Sequence, residues 1–271
     1  MPVTILDGPV GTELLRRGIA TPPPGWSSSA IRGAPEVLRA VHADYAAAGA
    51  TVHTANTFRT RPAVWGEAWR ALATDAVRLA REGAGVHGSV AGSIAPLADC
   101  YRPDLSPATP GPRHAEMARV LADAGCDLLL CETFPHVGEA LSAVDAAVST
   151  GLETWVSLTA GPAADLLTPD DMRAAAKEAI DRGAAAVLVN CVPASRTLDF
   201  VQALAGLGVP CGAYANAGHA DEGMGWRPAP MAAARYADLA DAWVAAGASI
   251  VGSCCGTGPD VIAELARRHR R

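Results

Sequence analysis

The chain has 271 residues, of which 50% are hydrophobic, 5% aromatic and 18% charged, enough apolar material for one large α/β domain or two small ones. Its formal net charge of −6 argues against nucleic acid as the main partner, because phosphate recognition calls for a basic face. No apolar run reaches the ~18 residues that span a membrane, so no membrane partner is expected.

Met1 leads directly into VTIL (3–6), a strand with no basic-then-apolar leader before it, and the expected location is cytoplasmic. Further strand-length apolar runs follow: TVHTANTF (51–58), VHGSVAGSI (86–94), CDLLLCETF (126–134), ETWVSLTA (153–160), AAAVLVNCV (184–192), VPCGAYANA (209–217) and ASIVGSCC (248–255). Alanine-rich stretches of helical period separate them. Several end in a glycine just before the next strand, as in AAAGA, ADAGC, DRGAA and AAGAS, where glycine supplies the left-handed conformation that stops a helix. Eight strand–helix units in about 250 residues predict an α/β chain folded as a single (β/α)8 TIM barrel domain, residues 1–271. A doubly wound open sheet is the alternative. It usually carries a glycine-rich phosphate turn after strand one, which LDGPVGTELL only partly matches. The proline-rich pieces TPPPGW (21–26) and RPDLSPATPGP (102–112) read as long loops after strands one and three.

In a (β/α)8 barrel the active site lies at the C-terminal ends of the strands. Those ends carry Asp7-Gly8, Asn56-Thr57, Glu132-Thr133, Asn190-Cys191, Asn216 and Cys254-Cys255. Any one of these is equally a helix cap, a position that Asp, Asn and Thr favour. Together they line a mouth with carboxylates, amides and three thiols, which makes Asp7, Gly8, Thr57, Glu132, Asn190 and Asn216 candidate substrate contacts.

Seven cysteines in a chain of this kind are not a disulfide framework. Cys100, Cys126, Cys131 and Cys211 stand singly and read as small core residues. Cys254 and Cys255 are different. Neighbours in a regular strand point to opposite faces, so they share a ligand only at a turn, which Gly252 and Gly256 permit. Strands six and eight lie two apart in the barrel, and Cys191 is placed to add a third sulfur. Three thiolates with an open fourth position suit zinc, and three buried thiols without metal are the alternative that spacing leaves open. A zinc centre with three thiolates carries a net negative charge and is a poor source of hydroxide. It suits a bound substrate thiolate at neutral pH, where a free thiol of pKa ~8.5 is mostly protonated, and hence alkyl transfer to sulfur.

These residues resemble the homocysteine S-methyltransferase family over nearly the whole chain. The matching stretches are LDGPVGTELLRRG, HADYAAAGATVHTANTF, CETFP, VNC, YANAG and GSCCGTGP, the last paired with the distant NC being the most specific. The resemblance implies a zinc-dependent barrel that methylates homocysteine to methionine, with Cys191, Cys254 and Cys255 as the Zn2+ ligands. It also implies that Asp7 and Glu132 hold the amino group of homocysteine while backbone amides after Asp7 receive its carboxylate. The nucleophile is then the zinc-bound substrate thiolate, with no protein nucleophile. Two departures stand out: Gly252-Ser253 replaces the usual glycine pair before the cysteines, and the loop GPAADLLTPDDM after strand five is short.

The partners implied are a small-molecule thiol and a methyl donor. Six of the thirteen aromatics fall at or after strand ends, Trp26, Phe58, Tyr101, Phe134, Tyr214 and Trp226, and aromatic faces bind onium groups. Trp26, Phe58, Tyr101 and Trp226 form the candidate donor pocket; loop anchoring is the alternative role. S-methylmethionine, S-adenosylmethionine and a betaine fit such a pocket. With no DxHxxG motif or second domain, a small donor is favoured over a corrinoid protein. Lys177, the only lysine, lies in the helix after strand five, which argues against a Schiff-base enzyme. His53 and His87 read as core residues in strands two and three. A different thiol or selenol acceptor, a cysteine hydrolase using Cys255 and a non-enzymatic zinc-binding barrel are the competing functions.

Overall fold

Parallel strands hydrogen-bond side by side around the molecule in a computed structural model that describes residues 3–227 and 229–270. The strands are β1 Thr4–Ile5, β2 Val52–Thr54, β3 Ser89–Ile94, β4 Leu128–Phe134, β5 Glu153–Leu158, β6 Ala186–Pro193, β7 Cys211–Asn216 and β8 Ile250–Ser253. They run in the order β1-β8-β7-β6-β5-β4-β3-β2, and a Leu6–Val52 bridge joins the two ends of that row. Asp7 N donates to Val52 O at 3.0 Å across the same seam. The sheet is thus a (β/α)8 barrel, as the eightfold pattern predicts, and no helix among the described residues is long and apolar enough to cross a membrane.

The alternation of side chains along each strand sorts two cores. Leu6, Ala91, Leu128, Leu130, Leu188 and Ile250 fill the barrel interior. Ile5, Leu129, Val156, Val187 and Val251 face outward against the helices. A short helix α1 (Val10–Arg16) leaves β1, and the barrel helices are α2 (Pro35–Ala48), α3 (Trp69–Ala84), α4 (Gly111–Asp123), α5 (Val137–Val148), α6 (Pro169–Asp181), α7 (Leu198–Leu204), α8 (Ala232–Ala245) and α9 (Pro259–His269). The expected stop glycines do stop helices: Gly49 after α2 sits at φ 105°, and Gly125, Gly183 and Gly247 are at 89°, 105° and 114°.

Three of the strand limits that differ from expectation move residues singled out in the sequence. β2 ends at Thr54, because local bonds such as Thr60 N to Thr57 O replace the ladder, and Asn56, Thr57 and Phe58 belong to the following loop. β3 starts at Ser89, leaving His87 in an exposed turn. β8 ends at Ser253, so Cys254 and Cys255 lie just past the strand.

Candidate active site and metal centre

Two buried carboxyls stand on one side of the barrel mouth. Glu132 continues the inward series Leu128, Leu130 of β4 and is 8% exposed. Ser93 Oγ donates to its Oε1 and Tyr214 Oη to its Oε2, the latter at 3.0 Å. Burial raises the Glu132 pKa, against the pull of those two hydrogen bonds. Asp7, one bridge beyond β1, accepts from Thr54 N at 2.9 Å. Burial holds its carboxyl well above the ordinary range, opposed by the Thr54 bond and reinforced by the Glu132 charge. Gly8 follows because a Cβ there would lie 2.7 Å from the Tyr45 ring. Behind Asp7, His42 and His53 are fully buried with no hydrogen-bond partner at either ring nitrogen. Burial pushes them down to about 3 and about 4, so both are neutral core residues.

The three sulfurs stand opposite. Asn190 points into the barrel, so a regular strand would turn Cys191 outward. Instead Cys191 takes a left-handed φ of 53°, the register slips between Asn190 and Pro193, and its Sγ swings into the mouth. Such a backbone is strained for a non-glycine residue and persists only where its surroundings hold it. Asn216 Nδ2 provides that hold, donating to Cys191 O at 2.9 Å. On the other arm, Cys254 N donates to Ala215 O at 2.8 Å and Cys255 O accepts from Ala217 N at 2.9 Å. The turn that follows uses Gly256 at φ 88°. Gly252 plays a different part from the expected bend: a Cβ there would meet that of Leu6 at 2.6 Å, so it lets β1 approach β8. Ser253, the departure from a glycine pair, shares a 2.8 Å hydrogen bond with Thr257 Oγ1.

Beneath the turn, the buried Tyr236 hydroxyl accepts from Ala215 N and lies 2.9 Å from the carbonyl oxygens of Ala215 and Gly252, tying β7 to β8. Replacing it with phenylalanine is expected to lower unfolding stability by about 1–2 kcal/mol in urea melts, the range for a lost buried hydrogen bond. A melt identical to the parent would show that this tie contributes nothing.

Cys191 Sγ lies 2.8 Å from Cys254 Sγ and 3.8 Å from Cys255 Sγ, and Cys254 and Cys255 are 3.8 Å apart. Tetrahedral zinc with Zn–S bonds of ~2.3 Å places its sulfurs about 3.8 Å apart, so two of the three separations fit directly. The third, between Cys191 and Cys254, is about 1 Å shorter than that geometry. Hydrogen bonds from the thiols of Cys191 and Cys254 hold Cys255 well below the ordinary thiol range. Cys254, hydrogen-bonded to Cys191 and buried, is pushed well above it. The donor set therefore fits a thiophilic ion.

Carboxyls and sulfurs meet in one cavity of about 200 Å³. Asp7, Gly8, Glu132, Cys191, Cys254, Cys255, Trp26, Phe58 and Tyr101 all line it. Thr57, Asn190 and Asn216 do not, and their side chains brace the site instead. Thr57 Oγ1 pins Ser93 through its carbonyl at 2.8 Å and its N–H at 3.0 Å. Asn190 accepts from Thr133 N and Ser157 Oγ and donates to Thr133 Oγ1. Asn216 holds Cys191 as described. Trp226 is also outside the lining: its indole donates to Gly218 O at 2.6 Å and its ring packs against Gly256. Sequence reasoning missed Ser93, which the period of two along β3 places inward after Ala91, and Arg59, whose burial no sequence signal marks.

The fold and the thiol cluster together define a class, a (β/α)8 enzyme with its chemistry at the C-terminal mouth. The family model described as homocysteine S-methyltransferase matches residues 4–269. A homocysteine S-methyltransferase of Escherichia coli is 32% identical, the match covering 98% of this chain and 95% of that one. Homocysteine S-methyltransferase YbgG of Bacillus subtilis is also 32% identical, over 98% and 94% of the two chains. The metallated form of the homocysteine methyltransferase MmuM from Escherichia coli superposes with a TM-score of 0.83 at 28% identity, covering 99% of this chain and 96% of that one. The chain belongs to the homocysteine S-methyltransferase family and is a methyltransferase.

Proposed function

We propose that this enzyme transfers a methyl group from a small onium donor to the thiolate of homocysteine, giving methionine, with zinc held by Cys191, Cys254 and Cys255. The observation that carries this reading is the convergence of three sulfurs and two buried carboxyls, whose ionisation burial disfavours, on one cavity. Zinc, when bound, keeps a substrate thiol in its thiolate form at neutral pH.

The chain's own residues do the rest. Asp7 and Glu132 resist ionisation while no cation stands beside them, and an arriving ammonium group stabilises their charges and orients the amino acid with its sulfur toward the cysteines. The segment from Gly8 receives the carboxylate. Transfer forms a carbon–sulfur bond to the methyl group and breaks the donor's bond to it, and that electron pair stays on a leaving group that departs neutral. No proton has to reach the leaving group, which agrees with a cavity lined by neither lysine nor histidine among the described residues. Alignment and exclusion of water then carry the rate.

The test is metal analysis of the reduced protein, followed by incubation with homocysteine and each of S-methylmethionine, S-adenosylmethionine and betaine. About one zinc per chain and methionine from at least one donor are expected. Absence of both metal and methionine overturns the proposal.

A further inference from the structure

Arg59 is the only Lys, Arg or His among the described residues that line the cavity. It is 8% exposed, and its Nε is buried without a hydrogen-bond partner. The one hydrogen bond of its side chain among the described residues is a long contact of 3.5 Å from Nη1 to Ala98 O. The guanidinium lies over the rings of Trp26 and Phe58, with Cζ 5.1 Å and 5.4 Å from their centroids. No carboxylate among the described residues forms an ion pair with it, although the guanidinium is a permanent cation whose fork matches a carboxylate.

This changes what the aromatic residues can do. An onium caged by Trp26 and Phe58 would meet a positive charge already stacked there. A buried cation that faces a cavity without a counter-ion is instead a receptor for an anionic group. Under the functional reading above, the acceptor's ammonium goes to Asp7 and Glu132 and its carboxylate to the segment from Gly8. The partner left for Arg59 is an anionic group on the donor.

We propose that Arg59 is the group that binds the carboxylate of the methyl donor, which each of the three candidate donors carries beside its onium centre. The aromatic pair holds the guanidinium in place, and the guanidinium holds the donor's far end. The methyl-bearing centre is thereby kept off the Trp26 and Phe58 faces and directed toward the sulfurs. After transfer the heteroatom is neutral and the carboxylate remains paired. The inference rests on the methyl-transfer reading, and its test separates the two.

Zinc-loaded enzyme is assayed for methionine formation with S-methylmethionine, S-adenosylmethionine and betaine, each as free acid and as carboxyl methyl ester, and with trimethylsulfonium. The productive free acid is expected to exceed its ester and trimethylsulfonium by about 100-fold in kcat/KM. In Arg59→Gln that ratio should fall to within about threefold, the KM for homocysteine should stay unchanged, and calorimetric affinity for the free-acid donor should drop by about 100-fold. Arg59→Lys should recover part of the ratio. Equal use of acid and ester by the parent enzyme overturns the assignment without needing a variant that folds. So does equal use of trimethylsulfonium, or a rise in homocysteine KM with the ratio intact. Methionine from no donor at all refutes the methyl-transfer reading, and the Arg59 assignment falls with it.

Discussion

Replacing Cys191 with alanine will remove bound metal and methyl transfer together. Of the three clustered sulfurs, only this one comes from β6; the other two come from a single turn after β8. Two neighbouring thiols alone do not enclose an ion, so the variant should retain less than about a tenth of the parent's metal after dialysis. Methionine formation should fall at least about 1000-fold, because the substrate thiol then stays protonated at neutral pH. The fold itself should persist: Asn216 reaches the backbone carbonyl of residue 191, which alanine keeps. Alanine also tolerates the left-handed backbone no worse than cysteine does. Cys100→Ala is the control. Cys100 lines the same cavity but is absent from the sulfur cluster, and burial pushes its thiol up to about 11, so its replacement should leave the metal in place. Metal content from elemental mass spectrometry and methionine from a single assay decide the matter. Full activity in the Cys191 variant would sink the zinc reading.

The barrel was legible because its punctuation is local. A glycine that stops a helix, followed by an apolar run, recurs at Gly49, Gly125, Gly183 and Gly247, and each one adopts the positive φ that the pattern implies. Asp7 and Glu132 were legible for a similar reason, since each is a carboxyl standing directly after an apolar run. What could not be read was direction. Cys191 looks outward by strand parity and turns inward only because its φ is 53°. Thr57, Asn190 and Asn216 sit at the mouth, yet their hydrogen bonds run to the protein's own backbone and side chains. Trp226 follows β7 closely but packs on the Gly256 turn, beyond the cavity lining. Arg59 shows the same limit in reverse: an arginine in a loop is ordinarily solvated, and only the stacking of Trp26 and Phe58 around it makes it a buried cation.

Glu132→Gln should weaken homocysteine and strengthen the empty protein. The folded chain keeps the Glu132 carboxyl protonated above its ordinary range because burial disfavours the charge. The unfolded chain releases that proton near pH ~4.3. Above that point the folded state binds more protons than the unfolded one, so this group's contribution to stability falls as pH rises through the window up to the folded pKa. Glutamine has no charge to desolvate, and its amide can still bond both the Ser93 and Tyr214 hydroxyls. Metal-free Glu132→Gln is therefore expected to be more stable than the parent at pH 7, with the difference shrinking to nothing near pH 4. The Glu132 charge also raises the Asp7 carboxyl, so the substitution relieves Asp7 as well and adds to the gain at pH 7. Affinity moves the other way, because an ammonium group loses its charged partner, and the KM for homocysteine should rise on the order of 100-fold. Chemical denaturation at several pH values gives the first quantity and steady-state kinetics the second. A purely structural glutamate would give lower stability and an unchanged KM, so the opposite signs of the two effects identify a carboxylate kept for a cation that binds only with the substrate.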